Sequence, residues 1–451
     1  MKKALYLFIP LVIVCFLLIV CSRGRGRSRE TLPSSKDSAD TVGVIKTDSL
    51  IKPVVNVYIE NSGSMDGYVK GNTEFKGAIR DLLVLLKHYY GPENIKIYFI
   101  NTKIRETNTK DDVATFAGNI NAQWSIKGDD HSSSNLNNVF KMILDKTGKE
   151  TISILFSDCI YSIKGKNADG LLSDEKSLTK DAFLSRWRQD SLKLATTIVK
   201  MKSKFYGTYY DKDNAKTILK GEERPYYICV IGNNDIMIDF NAKIPLEKGK
   251  IEGFDNKYII STGTSDGIYY SVLLSTANVG RFKDNRKEST KTYIHGIKDV
   301  NMKSVSRGGN VNNKLTFAVA VDLKNVAAED DYLTNPQNYT LSDNNFQVKE
   351  IIPVDKKNIN PKDWVRISEA QPTHLIILEA TGTATSDIKV SLKKQMPQWI
   401  EQTNIIDDKN IRANLDKTFG IKYLIEGIAE AYQIIYPEDK NFFQFEIKID
   451  N

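Results

Sequence analysis

Glu60, Ser62 and Ser64 stand at alternate positions in the stretch VVNVYIENSGSM from Val54 to Met65. That alternation sends one carboxylate and two hydroxyls out of a compact turn. Oxygen donors of this kind suit a hard divalent cation; magnesium takes them at about 2.0–2.1 Å in an octahedron. The same serines also suit a structural role, because a serine that follows a strand can cap the next helix or satisfy loop amides. Two further segments carry similar donors. Ser132-Ser133-Ser134-Asn135-Leu136 leads into an apolar stripe, and Ser157-Asp158 closes the run Ile152-Ser153-Ile154-Leu155-Phe156, so Ser134 and Asp158 join the candidate set.

Elements that would position these side chains are legible nearby. Val54, Val55, Val57, Tyr58 and Ile59 form a short apolar run enriched in β-branched residues, the pattern of a central strand covered on both faces. Behind the turn, Phe75, Ile79, Leu82, Leu83 and Leu86 fall on one helical stripe over Glu74 to Tyr90. Leu136, Val139, Phe140, Ile143 and Leu144 make a second. Strand, polar loop and amphipathic helix open a doubly wound α/β sheet, in which ligands collect beyond the carboxyl ends of the strands.

With these three loops in view, the stretch from Lys52 to Phe254 resembles a von Willebrand factor A domain carrying a metal-ion-dependent adhesion site. The family's first loop reads D-x-S-x-S-M, so the resemblance assigns Ser62 and Ser64 to its two serine ligands and Glu60 to its leading aspartate. Its second loop, T-D-L, maps Ser134 of Ser134-Asn135-Leu136 onto the threonine. Its third, T-D-G, maps Asp158 of Ser157-Asp158-Cys159 onto the acidic ligand. What the resemblance implies is a Rossmann-like domain holding Mg2+, or Mn2+ or Ca2+ in its place, with an open coordination position for a partner's acidic residue. Met65 to Tyr68 and the loop from Asp129 to Ser133 would surround that partner. Asp129 and Asp130 also read as a charge cluster at a helix N-terminus.

The N-terminus carries a different signal. Ala4 to Val20 is seventeen residues without a charge, after Lys2 and Lys3, and reads as a secretory signal or short membrane anchor. Leu18-Ile19-Val20-Cys21 resembles a lipoprotein signal, which makes Cys21 a candidate for lipidation; the alternative is an uncleaved anchor. Arg23, Arg25, Arg27 and Arg29 follow, then a polar spacer to Leu50 that suits a flexible tether. The expectation is a chain held in the cell envelope and facing the periplasm or exterior. The formal net charge is +7; Lys2 and Lys3 contribute two of these charges and Ser22 to Leu50, with six basic and four acidic residues, two more, leaving +3 on the remainder. No basic stripe interleaved with aromatics stands out, so nucleic acid is not an expected ligand. Cys159 and Cys229 are expected as two buried thiols rather than a disulfide, since one lies past its strand end and the other mid-strand.

Along the rest of the chain, Ile95 to Ile100 reads as a strand toward the sheet edge and Asn101 to Gly128, with Trp124, as a long polar excursion. Ile160 to Asp190 reads as an insertion placed to shape a ligand surface, Ser191 to Lys204 as a helical stripe through Leu194, Ile198 and Met201, and Tyr226 to Ile231 as the next central strand. From Asp255 the texture changes to alternating runs separated by turn clusters, including Leu315 to Leu323, Phe346 to Ile352, Leu375 to Leu378 and Ile388 to Leu392, which is the pattern of an antiparallel β-sandwich. Helical segments follow from Pro397 and around Phe419 to Tyr432, and Phe443, Phe445, Ile447 and Ile449 alternate in a final strand. The organisation expected is a leader over 1–21, a tether over 22–50, the A-type domain over 51–254, a β-rich domain over 255–395 and C-terminal helices with a last strand over 396–451.

His88, His131, His295 and His374 are the only histidines, none within a recognisable catalytic motif, and the chain has no G-x-S-x-G elbow, H-E-x-x-H or phosphate loop. The expected function is therefore binding: a membrane-tethered, extracytoplasmic adhesion or scaffold protein that engages a protein partner through a divalent cation. The alternatives are a metal-free scaffold and, further off, a hydrolase.

Overall fold

Val55, Val57 and Ile59 pack to one side of strand β1 (Val54–Glu60), Tyr58 to the other, and all are buried. In the computed structural model, which describes residues 52–450 apart from 108–112, 121–133, 164, 263–266, 306–310, 381 and 383–385, this strand occupies the middle of a seven-stranded sheet. The others are β2 (Ile95–Ile100), β3 (Ile104–Glu106), β4 (Thr151–Ser157), β5 (Leu194–Tyr210), β6 (Lys216–Asn233) and β7 (Phe254–Ile260), in the order β3-β2-β1-β4-β6-β5-β7. β1 is parallel to β2 and to β4; every other pairing is antiparallel. The sheet is thus mixed α/β with a parallel centre.

Helices cover both faces. α1 (Asp66–Val69), α2 (Glu74–Tyr90), α3 (Val113–Asn119) and α6 (Asn234–Lys243) contribute to one core, and α4 (Leu136–Lys146), α5 (Ala168–Asp190) and α10 (Ile421–Ile435) to the other. The stripe over Glu74 to Tyr90 is a helix as expected, with Phe75, Ile79, Leu82, Leu83 and Leu86 all at most 1% exposed. α5 and α10 are joined by Lys176 and Lys180, both of which pair with Glu430.

One local expectation is overturned. The segment read as a helix through Leu194, Ile198 and Met201 is strand β5. Its apolar residues alternate: Leu194 and Ile198 enter one core while Ala195, Val199 and Met201 enter the other. A strand buried on both faces has no polar side to reveal its period, and an i, i+4, i+7 pattern then arises by coincidence. The segment read as a ligand-shaping insertion forms α5 over most of its length, and packs against α4 and α10 with Leu172, Thr179, Phe183 and Arg186 buried. Within Asn101 to Gly128 the structure describes β3 and α3; Trp124 lies outside the described residues.

The second half forms two facing sheets. The strands are β8 (Tyr270–Val272), β9 (Arg281–Asp284), β10 (Gly296–Asn301), β13 (Leu315–Val321), β14 (Tyr339–Leu341), β15 (Phe346–Pro353), β16 (His374–Ala380), β17 (Ile388–Lys393) and β20 (Asn441–Asp450), ordered β15-β16-β13-β8 and β14-β17-β20-β10-β9. Between β10 and β13 lies the hairpin β11 (Lys303–Val305) and β12 (Val311–Asn313). Phe317, Val319, Ile376 and Leu378 from one sheet meet Val390, Leu392, Phe443 and Ile447 from the other in a common core. α7 (Asp330–Leu333) joins strands, and α8 (Pro361–Ile367) brings Ile367 to the outer face of β13 and β16. α9 (Gln398–Thr403) then leads into the short parallel pair β18 (Asn404–Ile405) and β19 (Thr418–Phe419). Antiparallel pairing dominates as expected, with the exception that β10 and β20 run parallel. Phe419 belongs to β19 and not to the helix that follows. The C-terminal 55 or so residues serve both layers: α10 packs on the first sheet and β20 sits inside the second. Residues 1–51, including Cys21 and the apolar run, lie outside the described residues; among those described, no helix is long and apolar enough to cross a membrane.

Candidate metal centre

Parallel pairing of β1 and β4 sets Ile59 beside Phe156, so Glu60 and Ser157 come next, side by side, at the carboxyl edge. Glu60 is 3% exposed and collects three hydroxyls. Its Oε1 accepts from Ser62 Oγ at 2.8 Å and from Ser134 Oγ, and its Oε2 accepts from Ser157 Oγ. Ser64 Oγ lies 3.0 Å from Ser62 Oγ, and Ser64 is close enough to the Asp158 carboxyl to favour its charged form. A polar chain therefore runs Glu60, Ser62, Ser64, with Asp158 beside it. The five residues assigned from the sequence meet in one place although they come from three segments far apart in the chain.

The serines do not act as caps. Ser62 precedes the short turn Gly63–Met65 and its side chain forms no capping bond. At the start of α4 the cap is Asn135, whose Oδ1 accepts from Asn138 N–H at 2.9 Å. Helix capping thus leaves both hydroxyls unexplained, and the carboxylate explains them.

Ser157 is the member that the sequence-derived set lacks, because the loop pattern marks the acidic residue after it. Register would have found it: in a parallel pair with Glu60 ending β1, the residue ending β4 stands at its side. Ser157 Oγ also accepts the Cys159 N–H at 2.8 Å, and Asp158 Oδ1 accepts the Ile160 N–H at 3.3 Å. This tight turn puts Cys159 in the left-handed region, φ 53°, at the position where the T-D-G loop has glycine, the residue that adopts such a φ without strain. The Cys159 and Cys229 thiols are both free and buried, as expected from their offset.

Burial is the main reason that the Asp158 carboxyl is pushed up to about 7, and the neighbouring Glu60 carboxylate adds to it; the Ser64 hydroxyl, the Ile160 N–H and the charge of Arg224 act in the opposite direction. Two buried carboxyls side by side resist joint ionisation. A cation placed among them would lift that conflict. The hydroxyls fit such a role, because a serine that donates its proton to Glu60 keeps lone pairs for a metal. In that arrangement Glu60 orients the ligands and Ser62, Ser64, Ser134 and Asp158 are the atoms available to the ion. Among the described residues no group of three or more His, Cys, Asp or Glu side chains stands together, so a cation here would rest on serine oxygens and the Asp158 carboxyl, with Glu60 behind them.

The surroundings differ from expectation. Met65 and Tyr68 are 2% and 1% exposed. They are covered by the β5–β6 hairpin, which extends past the sheet edge and sets Phe205 edge-on to Tyr68 with ring centroids 4.9 Å apart. Met65 and Tyr68 therefore anchor the loop against the hairpin, while Asp66 between them is half-buried. Asp129 to Ser133, including His131, lie outside the described residues. Arg224, 1% exposed, was not anticipated; its Nη1 donates to the carbonyls of Asn414, Leu415 and Lys417 at 3.2, 2.8 and 2.9 Å. It pins the C-terminal segment to the hairpin. No protein-family model matches the chain, and no curated protein and no solved structure is significantly similar to it.

Proposed function

We propose that the chain is a membrane-tethered protein of the cell envelope whose first sheet is a von Willebrand factor A-type domain, and that it holds a divalent cation, magnesium first, at Ser62, Ser64, Ser134 and Asp158 with Glu60 behind them. The ion's open position takes an acidic residue of a protein partner. The observation that supports this most is the convergence of hydroxyls from three loops on a single buried carboxylate with a second carboxyl alongside. Hydroxyls held by a carboxylate behind them present their lone pairs forward, which is what an oxygen-liganded ion needs. Tethering rests on the sequence of residues 4–21.

A second reading also has an observation in its favour. Glu60 already accepts three hydroxyl protons, so the cluster is satisfied by itself and can serve as the polar centre of a metal-free scaffold. Isothermal titration separates the two. Wild-type protein is expected to bind Mg2+, and both Ser134→Ala and Ser157→Ala to bind it at least about tenfold more weakly, the first by losing a ligand and the second by loosening Glu60. Absence of Mg2+, Mn2+ and Ca2+ binding to the folded wild type would leave the metal-free scaffold.

A further inference from the structure

Beside the Ser62–Ser64 loop lies a cleft of about 580 Å³, lined among others by Gly63, Asp66, Lys70, Lys76, Tyr206 and Tyr210. One wall carries two ammonium groups. Lys70 is exposed and Lys76 half-buried, and neither forms an ion pair with a described carboxylate. Burial without a counter-charge disfavours the Lys76 ammonium and lowers its pKa. An anion entering the cleft would relieve that penalty, since a partly desolvated charge is costly until paired.

The lining also includes the end of β5, from Tyr206 to Tyr210. β7 accompanies β5 only from Thr196 to Met201, whereas β6 follows it to Tyr210. On the side that β7 vacates, Lys202 N–H donates to Gly253 O at 2.7 Å and Lys204 N–H to Glu74 Oε2 at 2.8 Å. The extra residue at the register shift, Gly221, is on β6. Alternation along β5 therefore continues unbroken and turns the N–H groups of Tyr206, Thr208 and Tyr210 to the same side. No described backbone group pairs with them there. From Tyr206 to Tyr210 this edge runs roughly 13 Å, the advance of an extended segment of four to five residues.

We propose that the cleft receives an extended acidic protein segment, which adds as a strand to the free edge of β5 and sets its carboxylates against Lys70 and Lys76. Main-chain bonds to the edge supply affinity without regard to sequence, and the two lysines select for negative charge. The site stands on the lysines and the strand edge, needs no cation, and so goes beyond the metal reading. Gly63, which lines it, sits between Ser62 and Ser64, and a bound segment passes alongside that loop.

The test uses the full chain in non-ionic detergent and two fluorescent peptides about ten residues long, one alternating Glu and Thr, the other Gln and Thr, with anisotropy read in EDTA and in magnesium. The Glu peptide is expected to bind at least about tenfold tighter than the Gln peptide in both buffers, and Lys70→Gln with Lys76→Gln to remove that preference. Thr208→Pro, which deletes one outward N–H at an edge where proline is tolerated, is expected to weaken both peptides without changing the β6 pairing. Equal binding of the two peptides, or a preference that survives the double lysine variant, would overturn the proposal. So would binding of phosphatidylglycerol vesicles through the two lysines with no peptide bound. Peptide binding retained in EDTA by a protein that shows no magnesium binding would sink the metal reading alone.

Discussion

Replacing Asp158 by asparagine should make the metal-free protein more stable at pH 8, and the structure gives the size of the effect. Burial first, and the neighbouring Glu60 carboxylate second, push the Asp158 carboxyl up from 3.8 to about 7 in the fold. Below about pH 4 the group is protonated in both folded and unfolded chains and contributes no pH dependence. Between about 4 and 7 the unfolded chain has released the proton and the folded chain retains it, so stability falls as pH rises through this window. Three pH units at about 1.4 kcal/mol each amount to roughly 4 kcal/mol lost by pH 8. Asparagine keeps an acceptor for the Ile160 N–H and has no charge to bury, so the variant should escape the loss. The assay is urea unfolding of both proteins in EDTA at pH 4, 6 and 8, repeated with magnesium. In EDTA the wild type should weaken relative to the variant as pH rises, and at pH 8 the variant should be the more stable. Magnesium at about a hundred times its dissociation constant should return roughly 3 kcal/mol to the wild type and nothing to the variant. Parallel pH profiles for the two proteins would refute the electrostatic account of the pair. Equal stabilisation of both by magnesium would place the ion away from Asp158.

Two further outcomes bear on the structure around the site. A Cβ on Gly67 would come within 2.4–2.5 Å of three ring atoms of Phe205, whose ring is 2% exposed and held against Tyr68, so Gly67→Ala should cost about 1–3 kcal/mol by overpacking, read in a melting curve; an unchanged midpoint would mean that the hairpin does not clamp the loop. Cys159 and Cys229 are free and buried, so a thiol reagent should leave both unmodified in the folded protein and modify both in denaturant; modification of either in the native state at the rate of an exposed thiol would contradict their burial.

Much of the site was written in the local sequence. The E-x-S-x-S spacing, the serine before Asn135-Leu136 and the Asp158 that follows a hydrophobic run each depend on a strand or helix boundary, and such boundaries come from short-range pattern: β-branched runs ending at turn formers, and stripes of period 3.6 beginning after them. The alternation of the second half likewise announced antiparallel sheets, because strands with one wet face keep period two in their chemistry.

Tertiary structure alone decided the rest. Ser157 became the third donor to Glu60 through the parallel register of β1 and β4, a relation between residues 97 positions apart. The path from Leu194 to Met201 is a strand whose two faces both meet cores, and a residue's burial depends on what packs against it, which no window of sequence contains. Arg224 is buried because the carbonyls of Asn414, Leu415 and Lys417, about 190 residues away in the chain, close around it. The sequence by itself determined which oxygen atoms are present and where local elements start and stop; the long-range register and the covering of the Ser62–Ser64 loop by the β5–β6 hairpin determined which of those atoms face one another, because such contacts form between segments that carry no record of each other.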